Sequence, residues 1–193
     1  MAYPFFAMLA RMKHINRWGL MRNTRAENIQ EHSLQVAVVA HALALIKDAY
    51  YGGGVDANEA AVAALFHDCD EILTGDLPTP VKYFNESIRS AYREVEDAAA
   101  GKLLSMLPEA MRPAYSGLLR HDARPGVWRV VKAADTICAH IKCLEELATG
   151  NTEFTAAAAS TRQKIADLGM PEADRFMEDY AGAFSLSLDE FGL

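Results

Sequence analysis

Residues 29–54 read I-Q-E-H-S-L-Q-V-A-V-V-A-H-A-L-A-L-I-K-D-A-Y-Y-G-G-G, with no Asp, Glu, Lys or Arg between His32 and Ile46. This run predicts a long helix from about Ile29 to Tyr51, ended by Gly52-Gly53-Gly54. Its charge-free part is interrupted by Gln35 and falls short of the ~20 apolar residues that cross a bilayer, so a core helix is expected and no transmembrane one. Before it, residues 16–28 (N-R-W-G-L-M-R-N-T-R-A-E-N) have no sustained period and predict an ordered loop. Further back, Phe5, Phe6, Met8, Leu9 and Met12 share one helical face, which predicts a first helix from Pro4 to Ile15.

After the glycines, Asp56 with Glu59 three residues on resembles a capping box, and Ala60 to Phe66 continues as an apolar helix that delivers His67 and Asp68. Thr74 to Pro80 contains two prolines and a glycine and is expected to be a rigid, non-helical loop. Helical stretches follow near 86–106, 109–122 and 127–149, punctuated by Pro108 and Pro125-Gly126, and then near 152–168 and 172–186. With no convincing strand, repeat or linker, the expected architecture is all-α. It is a single domain over 1–193, with a core of about 5–150 and C-terminal helices, 152–186, packed on it.

The chain has 193 residues, 51% hydrophobic and 23% charged, which excludes intrinsic disorder. Its net charge of −7 opposes binding to a nucleic-acid polymer or an acidic membrane surface. The charge is unevenly spread. Residues 1–25 hold Arg11, Lys13, Arg17, Arg22 and Arg25 and no acid, leaving 14 bases against 26 acids in the rest. A basic strip on an acidic protein points to a small anionic ligand. Three cysteines, Cys69, Cys138 and Cys143, make no disulfide framework and fit a reducing compartment. The apolar N-terminus precedes its basic residues, the reverse of a secretory signal, so a cytoplasmic protein is expected.

His67-Asp68 is the sharpest chemical feature. On a helix, Glu71 lies three to four positions away on the same side, so a His, an Asp and a Glu crowd one surface. A His-Asp pair is common by chance, and His121-Asp122 is the control: it runs into Ala-Arg-Pro-Gly with no further ligand type nearby. Two more donors stand out, His32 at the start of the long helix and Asp135 within an otherwise apolar helical run. A buried carboxylate needs a partner or a metal. Taken singly, a buried salt bridge explains Asp135 and a helix-capping role explains His32. Cys138, His140 and Cys143 point in different directions around one helix and cannot share a metal. His41 cannot join the His32 site, and His14 belongs to the basic strip.

The order His32, His67-Asp68, Asp135 on separate helices resembles the H…HD…D signature of the HD-domain metal-dependent phosphohydrolases. Flanking segments carry the resemblance further: I-N-R-W at 15–18, E-H-S-L-Q-V-A at 31–37, H-D-C-D-E-I-L-T-G-D-L-P-T-P-V-K-Y-F-N at 67–85 and K-C-L-E-E-L at 142–147. Over about residues 5–190 the chain is similar to the bacterial 5′-deoxynucleotidases of the YfbR type.

The resemblance implies an all-helical HD fold, a homodimer, and hydrolysis of deoxyribonucleoside 5′-monophosphates to nucleoside and phosphate. It implies one divalent metal, of the Co, Mn, Zn or Fe class, held by His32, His67, Asp68 and Asp135, with Asp68 and Asp135 also facing substrate. Such an ion polarises a phosphoryl oxygen and acidifies water. Glu71 would position that water or relay its proton, and Arg17 would offer a planar fork to the phosphate, aligning it for catalysis. Trp18 would wall the sugar, and Asp76, Leu77, Pro78 and Thr79 match the family's sugar-binding segment, with Asp76 accepting from the 3′-hydroxyl. Without the resemblance, Trp18 reads as a core anchor and Asp76 as a turn residue. Two other readings stand. One is an HD hydrolase of nucleoside triphosphates or cyclic nucleotides, which needs more cations than Arg17 and its neighbours supply. The other is a non-enzymatic HD-like scaffold, which is expected to have lost ligands that this chain keeps.

Overall fold

Asn28 opens the central helix because its side chain accepts hydrogen bonds from the amides of Gln30 and Glu31 at 3.1 and 3.0 Å, a cap worth about 1 kcal/mol. The computed structural model describes residues 2–82, 84–120 and 124–192. In it this helix, α2, runs Ile29–Tyr51 and ends at Gly52, whose φ of 85° is the left-handed turn a side chain would disfavour. α3 (Ala57–Leu65) starts at Asp56, whose carboxylate accepts from Glu59 N at 2.8 Å. Its buried alanines, Ala60, Ala63 and Ala64, let it pack closely on α2.

The third member of the core is α8 (Pro125–Ala148), and Leu43, Ile137 and Ile141 are fully buried where α2 and α8 meet. Each such side chain contributes about 1.5–3 kcal/mol. α9 (Thr155–Asp167) packs on α8 through Ile165, and α10 (Pro171–Asp179) closes on α2 through Ala173 and Phe176. A second cluster joins α1 (Phe5–Leu9) and its 3-10 extension Ala10–His14 to α6 (Glu86–Ser105) and α7 (Arg112–Leu119), around Phe5, Met12, Leu103 and Leu107. A third, smaller one is built on Cys143, Phe154 and Ala158, with Trp18 and Met21 against it. Cys69, Cys138 and Cys143 are free and buried, one in each cluster. By length and composition α2 could cross a membrane, yet 56% of its most apolar window is buried inside the protein.

Among the described residues the one β pairing is the isolated bridge of Asn16 and Asn28. Beside it Arg17 N donates to Glu27 O at 2.9 Å and Ile29 N to Ile15 O at 3.0 Å, which closes 16–28 into a loop.

Several expected boundaries move. α3 stops at Leu65, because Phe66 leaves helical geometry (φ −111°, ψ 0°), and His67-Asp68 sits in a run of tight turns before α4 (Glu71–Thr74). The pair is therefore delivered by a turn, and Glu71 is not on its helix. The 74–80 segment is extended only over 75–78: Thr74 ends α4, and Thr79–Lys82 forms α5, where Pro80 in the first turn sacrifices no hydrogen bond. Pro125 likewise opens α8 instead of punctuating before it. The helix expected near 109–122 is a 3-10 turn, Glu109–Met111, followed by α7, and the one near 172–186 is α10 followed by a 3-10 turn, Ala181–Ser185. The His121-Asp122 control pair lies outside the described residues.

Candidate active site

Three elements converge on one point. The first turn of α2 brings His32, the 66–70 turn brings His67 and Asp68, and the middle of α8 brings Asp135. His32 Nε2 lies 3.2 Å from Asp135 Oδ1 and 3.7 Å from Asp68 Oδ2, and His67 Nε2 lies 3.1 Å from Asp68 Oδ2. One ligand atom from each of His32, His67 and Asp135 falls within 4.8 Å of the others. His67 Nδ1 is 2.8 Å from Ala64 O, so that nitrogen donates and Nε2 is left to face carboxylate oxygen. Two electron-rich atoms in such contact call for a proton or a metal ion to hold them together. The donor set of two imidazoles and two carboxylates fits a divalent ion of the borderline class and leaves positions for water and substrate.

The electrostatics agree. Burial pulls the His67 pKa down, but the charges of Asp68 and Asp135 outweigh it and raise it. Burial opposes the charge of Asp68 and of Asp135, yet the histidines, and for Asp135 Lys132 at 2.8 Å, hold both carboxyls well below their usual range. Glu71 goes the other way: burial, then Asp68 and Asp76, push it up to about 10 against Arg17. Its Oε2 is buried with no hydrogen-bond partner among the described residues. Asp70 is pushed up to about 6 by burial and Asp68.

Arg17 reaches this cluster from the loop. Its Nη1 donates to Glu27 Oε2 at 2.9 Å and lies 2.8 Å from His32 Nδ1, while Nη2 is 3.9 Å from Asp135 Oδ1. Trp18 has φ 59°, a left-handed backbone costing a non-glycine residue about 1–2 kcal/mol. Four contacts hold it there. Met21 N and Asn23 Nδ2 donate to its carbonyl at 2.9 and 3.2 Å, its indole Nε1 donates to Glu27 Oε2 at 3.1 Å, and its ring packs at a tilt of 56° against Phe154, centroids 5.4 Å apart. Asp76 follows Gly75 (φ 74°). Burial raises the Asp76 pKa, while Arg17 opposes that. Leu77 and Pro78 are half-buried behind it and Thr79 is exposed. Tyr92 of α6 pins this turn, its hydroxyl donating to Thr74 Oγ1 at 3.3 Å.

Sequence reasoning passed over Glu27, which holds Arg17 and Trp18 and lies 3.7 Å from His32 Nδ1. The signal was there: it is the first acid after an acid-free run of 26 residues and stands next to the Asn28 cap. It also passed over the rim. A cavity of about 320 Å³ lined by His67, Asp68, Glu71 and Asp135 is bordered by Lys82, Arg89, Arg93, Trp128 and Lys132, a size within the range of small-molecule sites. Cys138, His140 and Cys143 are buried, with His140 Nδ1 2.9 Å from Thr161 Oγ1, and are packing residues.

The model of a family described as 5′-deoxynucleotidase YfbR-like matches residues 4–184. A 5′-deoxynucleotidase of Erwinia tasmaniensis is 52% identical over 187 residues, 96% of this chain and 94% of the relative. Among solved structures, an HD-domain phosphohydrolase from Listeria innocua superposes with a TM-score of 0.81 at 22% identity, covering 93% of this chain and 87% of its own. A cyanophage S-2L HD phosphohydrolase, solved bound to dA and one catalytic Zn2+ ion, gives 0.66 at 22% identity, covering 92% and 95%.

Proposed function

This chain belongs to the 5′-deoxynucleotidase YfbR-like family, and we propose how its residues divide the work of the reaction. It is a metal-dependent hydrolase of deoxyribonucleoside 5′-monophosphates with an HD fold. His32, His67, Asp68 and Asp135 would hold one divalent ion, which when bound supplies Lewis acidity toward a phosphoryl oxygen and acidifies water. The observation that carries this reading is the meeting of His32, His67 and Asp135 ligand atoms within 4.8 Å, with Asp68 against both histidines.

Arg17 serves as the phosphate clamp. Its fork is fixed by Glu27 and aimed past His32 at Asp135, so a phosphate arriving there is oriented at little further entropic cost. With the ion's positive charge offsetting Asp68 and Asp76, Glu71 would be ionised, and its Oε2, buried and with hydrogen-bonding capacity to spare, accepts a proton from the attacking water and returns it to the 5′-oxygen as that oxygen's bond to phosphorus breaks. Asp76 accepts from the 3′-hydroxyl, with Leu77, Pro78 and Thr79 shaping the sugar pocket, and the Trp18 indole walls the 2′ position. A ribose hydroxyl placed against that wall loses a hydrogen bond, about 1–3 kcal/mol. The enzyme is proposed to act in the cytoplasm, in keeping with its three unpaired thiols, and as a homodimer. The dimer reading draws support from Leu34, Val38 and Leu45, exposed along one side of α2 beside a groove lined by Leu65, Lys13 and Glu31, a mixed surface that a two-fold copy can complement.

The test is turnover of matched deoxyribo and ribo 5′-monophosphates. The expected preference is roughly 10- to 100-fold in kcat/KM for the deoxy form, lost with a chelator and restored by divalent ions. A preference for triphosphates or cyclic nucleotides would refute it.

A further inference from the structure

The segment K-C-L-E-E-L at 142–147 takes no part in the chemistry above, yet it lies on the helix that carries Asp135, two turns further on. Lys142 and Glu146, one turn apart, leave only 6% and 1% of their side chains exposed and form an ion pair. A buried charge pair is a poor source of stability unless further hydrogen bonds complete it. Here most of the completing bonds run to loop 16–28. Glu146 Oε2 accepts from Thr24 N at 2.9 Å and Thr24 Oγ1 at 2.6 Å, and Oε1 from Arg25 N at 3.3 Å. Lys142 Nζ donates to Arg25 O at 2.7 Å. Asn151 Nδ2 bridges Glu146 Oε2 at 2.8 Å and Arg22 O at 2.7 Å. Burial opposes the Glu146 charge, but the bonds from Lys142, Thr24 and Asn151 outweigh it and keep it ionised.

What this anchor holds is the support of the phosphate clamp. Two residues beyond Arg25 stands Glu27, which accepts from Arg17 Nη1 and Trp18 Nε1. Between Arg22 and Thr24, Asn23 Nδ2 donates to Trp18 O. The loop is thus fixed at its neck by the bonds beside Asn16 and Asn28, and at its tip by α8. We infer that Glu146, charge-balanced by Lys142, is a positioning residue for the reaction: by fixing residues 22–25 it sets the place of Glu27, and through Glu27 the aim of Arg17 and Trp18. The inference rests on the reading that Arg17 and Trp18 grip the nucleotide.

The experiment compares Glu146→Ala and Glu146→Gln with Arg17→Ala in the full-length, metal-loaded protein. Trp18 placement is read by acrylamide quenching in a Trp128→Phe background. Glu146→Ala is expected to lower kcat by about 10- to 100-fold, to narrow the deoxy-to-ribo ratio at least threefold and to make Trp18 more quenchable, with metal content unchanged. Glu146→Gln keeps an acceptor for Thr24 and should recover at least a third of the lost rate. A folded Glu146→Ala protein with wild-type kcat and selectivity, beside an impaired Arg17→Ala, overturns the positioning role and leaves the clamp standing. Wild-type turnover in Arg17→Ala would instead remove the clamp on which the role depends. Should Glu146→Ala not fold, Thr24→Val and Asn151→Ala, each deleting one bond to Oε2, take its place. Each is expected to lower kcat three- to tenfold at an unchanged melting temperature, and wild-type kcat in both overturns the inference.

Discussion

Glu71→Gln should stabilise the metal-free protein and disable the enzyme. In the folded, metal-free chain, burial and the charges of Asp68 and Asp76 push the Glu71 carboxyl up to about 10, so it holds a proton at neutral pH. The unfolded chain returns it to about 4.5. A raised folded pKa means that its contribution to stability is intact below pH 4.5 and falls as pH rises toward about 10, since the unfolded state gains by ionising. At 1.36 kcal/mol per pH unit the full shift amounts to about 3 kcal/mol at pH 7, and partial contact with solvent lowers that to about 1–3 kcal/mol. Glutamine keeps the shape and does not titrate. The variant should therefore melt higher at pH 7, by roughly 2–4 °C for each kcal/mol in a chain of this size, and the advantage should shrink toward nothing near pH 5. Calorimetry in chelator from pH 5 to 8.5 reads the difference. In the metal-loaded protein the same variant should keep its ion and lose about 10²- to 10⁴-fold in rate. A melting difference that is the same at pH 5 and pH 8, or a wild-type rate, would refute the reasoning.

Asp68→Ala, which removes the carboxylate standing against both histidines, should abolish metal retention and turnover together, measured by metal analysis of the purified protein; a variant that keeps both would show that the cluster is not the metal site. Arg17→Ala should depress turnover of deoxy and ribo substrates alike, mainly in kcat, because the phosphate is common to both. Trp18→Ala should narrow the deoxy preference, and an unchanged ratio would reduce the indole to an anchor on Phe154.

The ends of α2 were legible because the chain marks them with chemistry of short range: a capping Asn28 and a left-handed Gly52 act within five residues. His32, His67, Asp68 and Asp135 were legible as a set because their spacing and flanks match a known order. Their separate contexts left each with a bland explanation. The turn that presents His67-Asp68 was not legible, since Phe66 continues the apolar run of α3 and nothing local forbids helix; the backbone closes there into i to i+3 turns, the carbonyls of Phe66, Asp68 and Asp70 accepting from the amides of Cys69, Glu71 and Leu73. Glu27 escaped for a different reason. Its partners lie five to ten positions away, at no helical or strand period, and their meeting depends on loop 16–28 closing. The role of Lys142 and Glu146 was beyond any local reading, because the loop residues they hold are 117 to 122 positions distant.

The three thiols divide the protein in a way that labelling chemistry can use. Thiolate, not thiol, reacts with alkylating agents. Burial pushes Cys143 up to about 11 and Cys69 and Cys138 higher still, so none reacts while its surroundings stay closed. Because one thiol sits in each apolar cluster, alkylation followed peptide by peptide clocks the opening of each cluster separately. Coincident rates mean that the helices part as a single cooperative unit. A faster Cys143 would mean that the region under Trp18 and Phe154 opens on its own, leaving the α2, α3 and α8 core shut while loop 16–28 comes and goes.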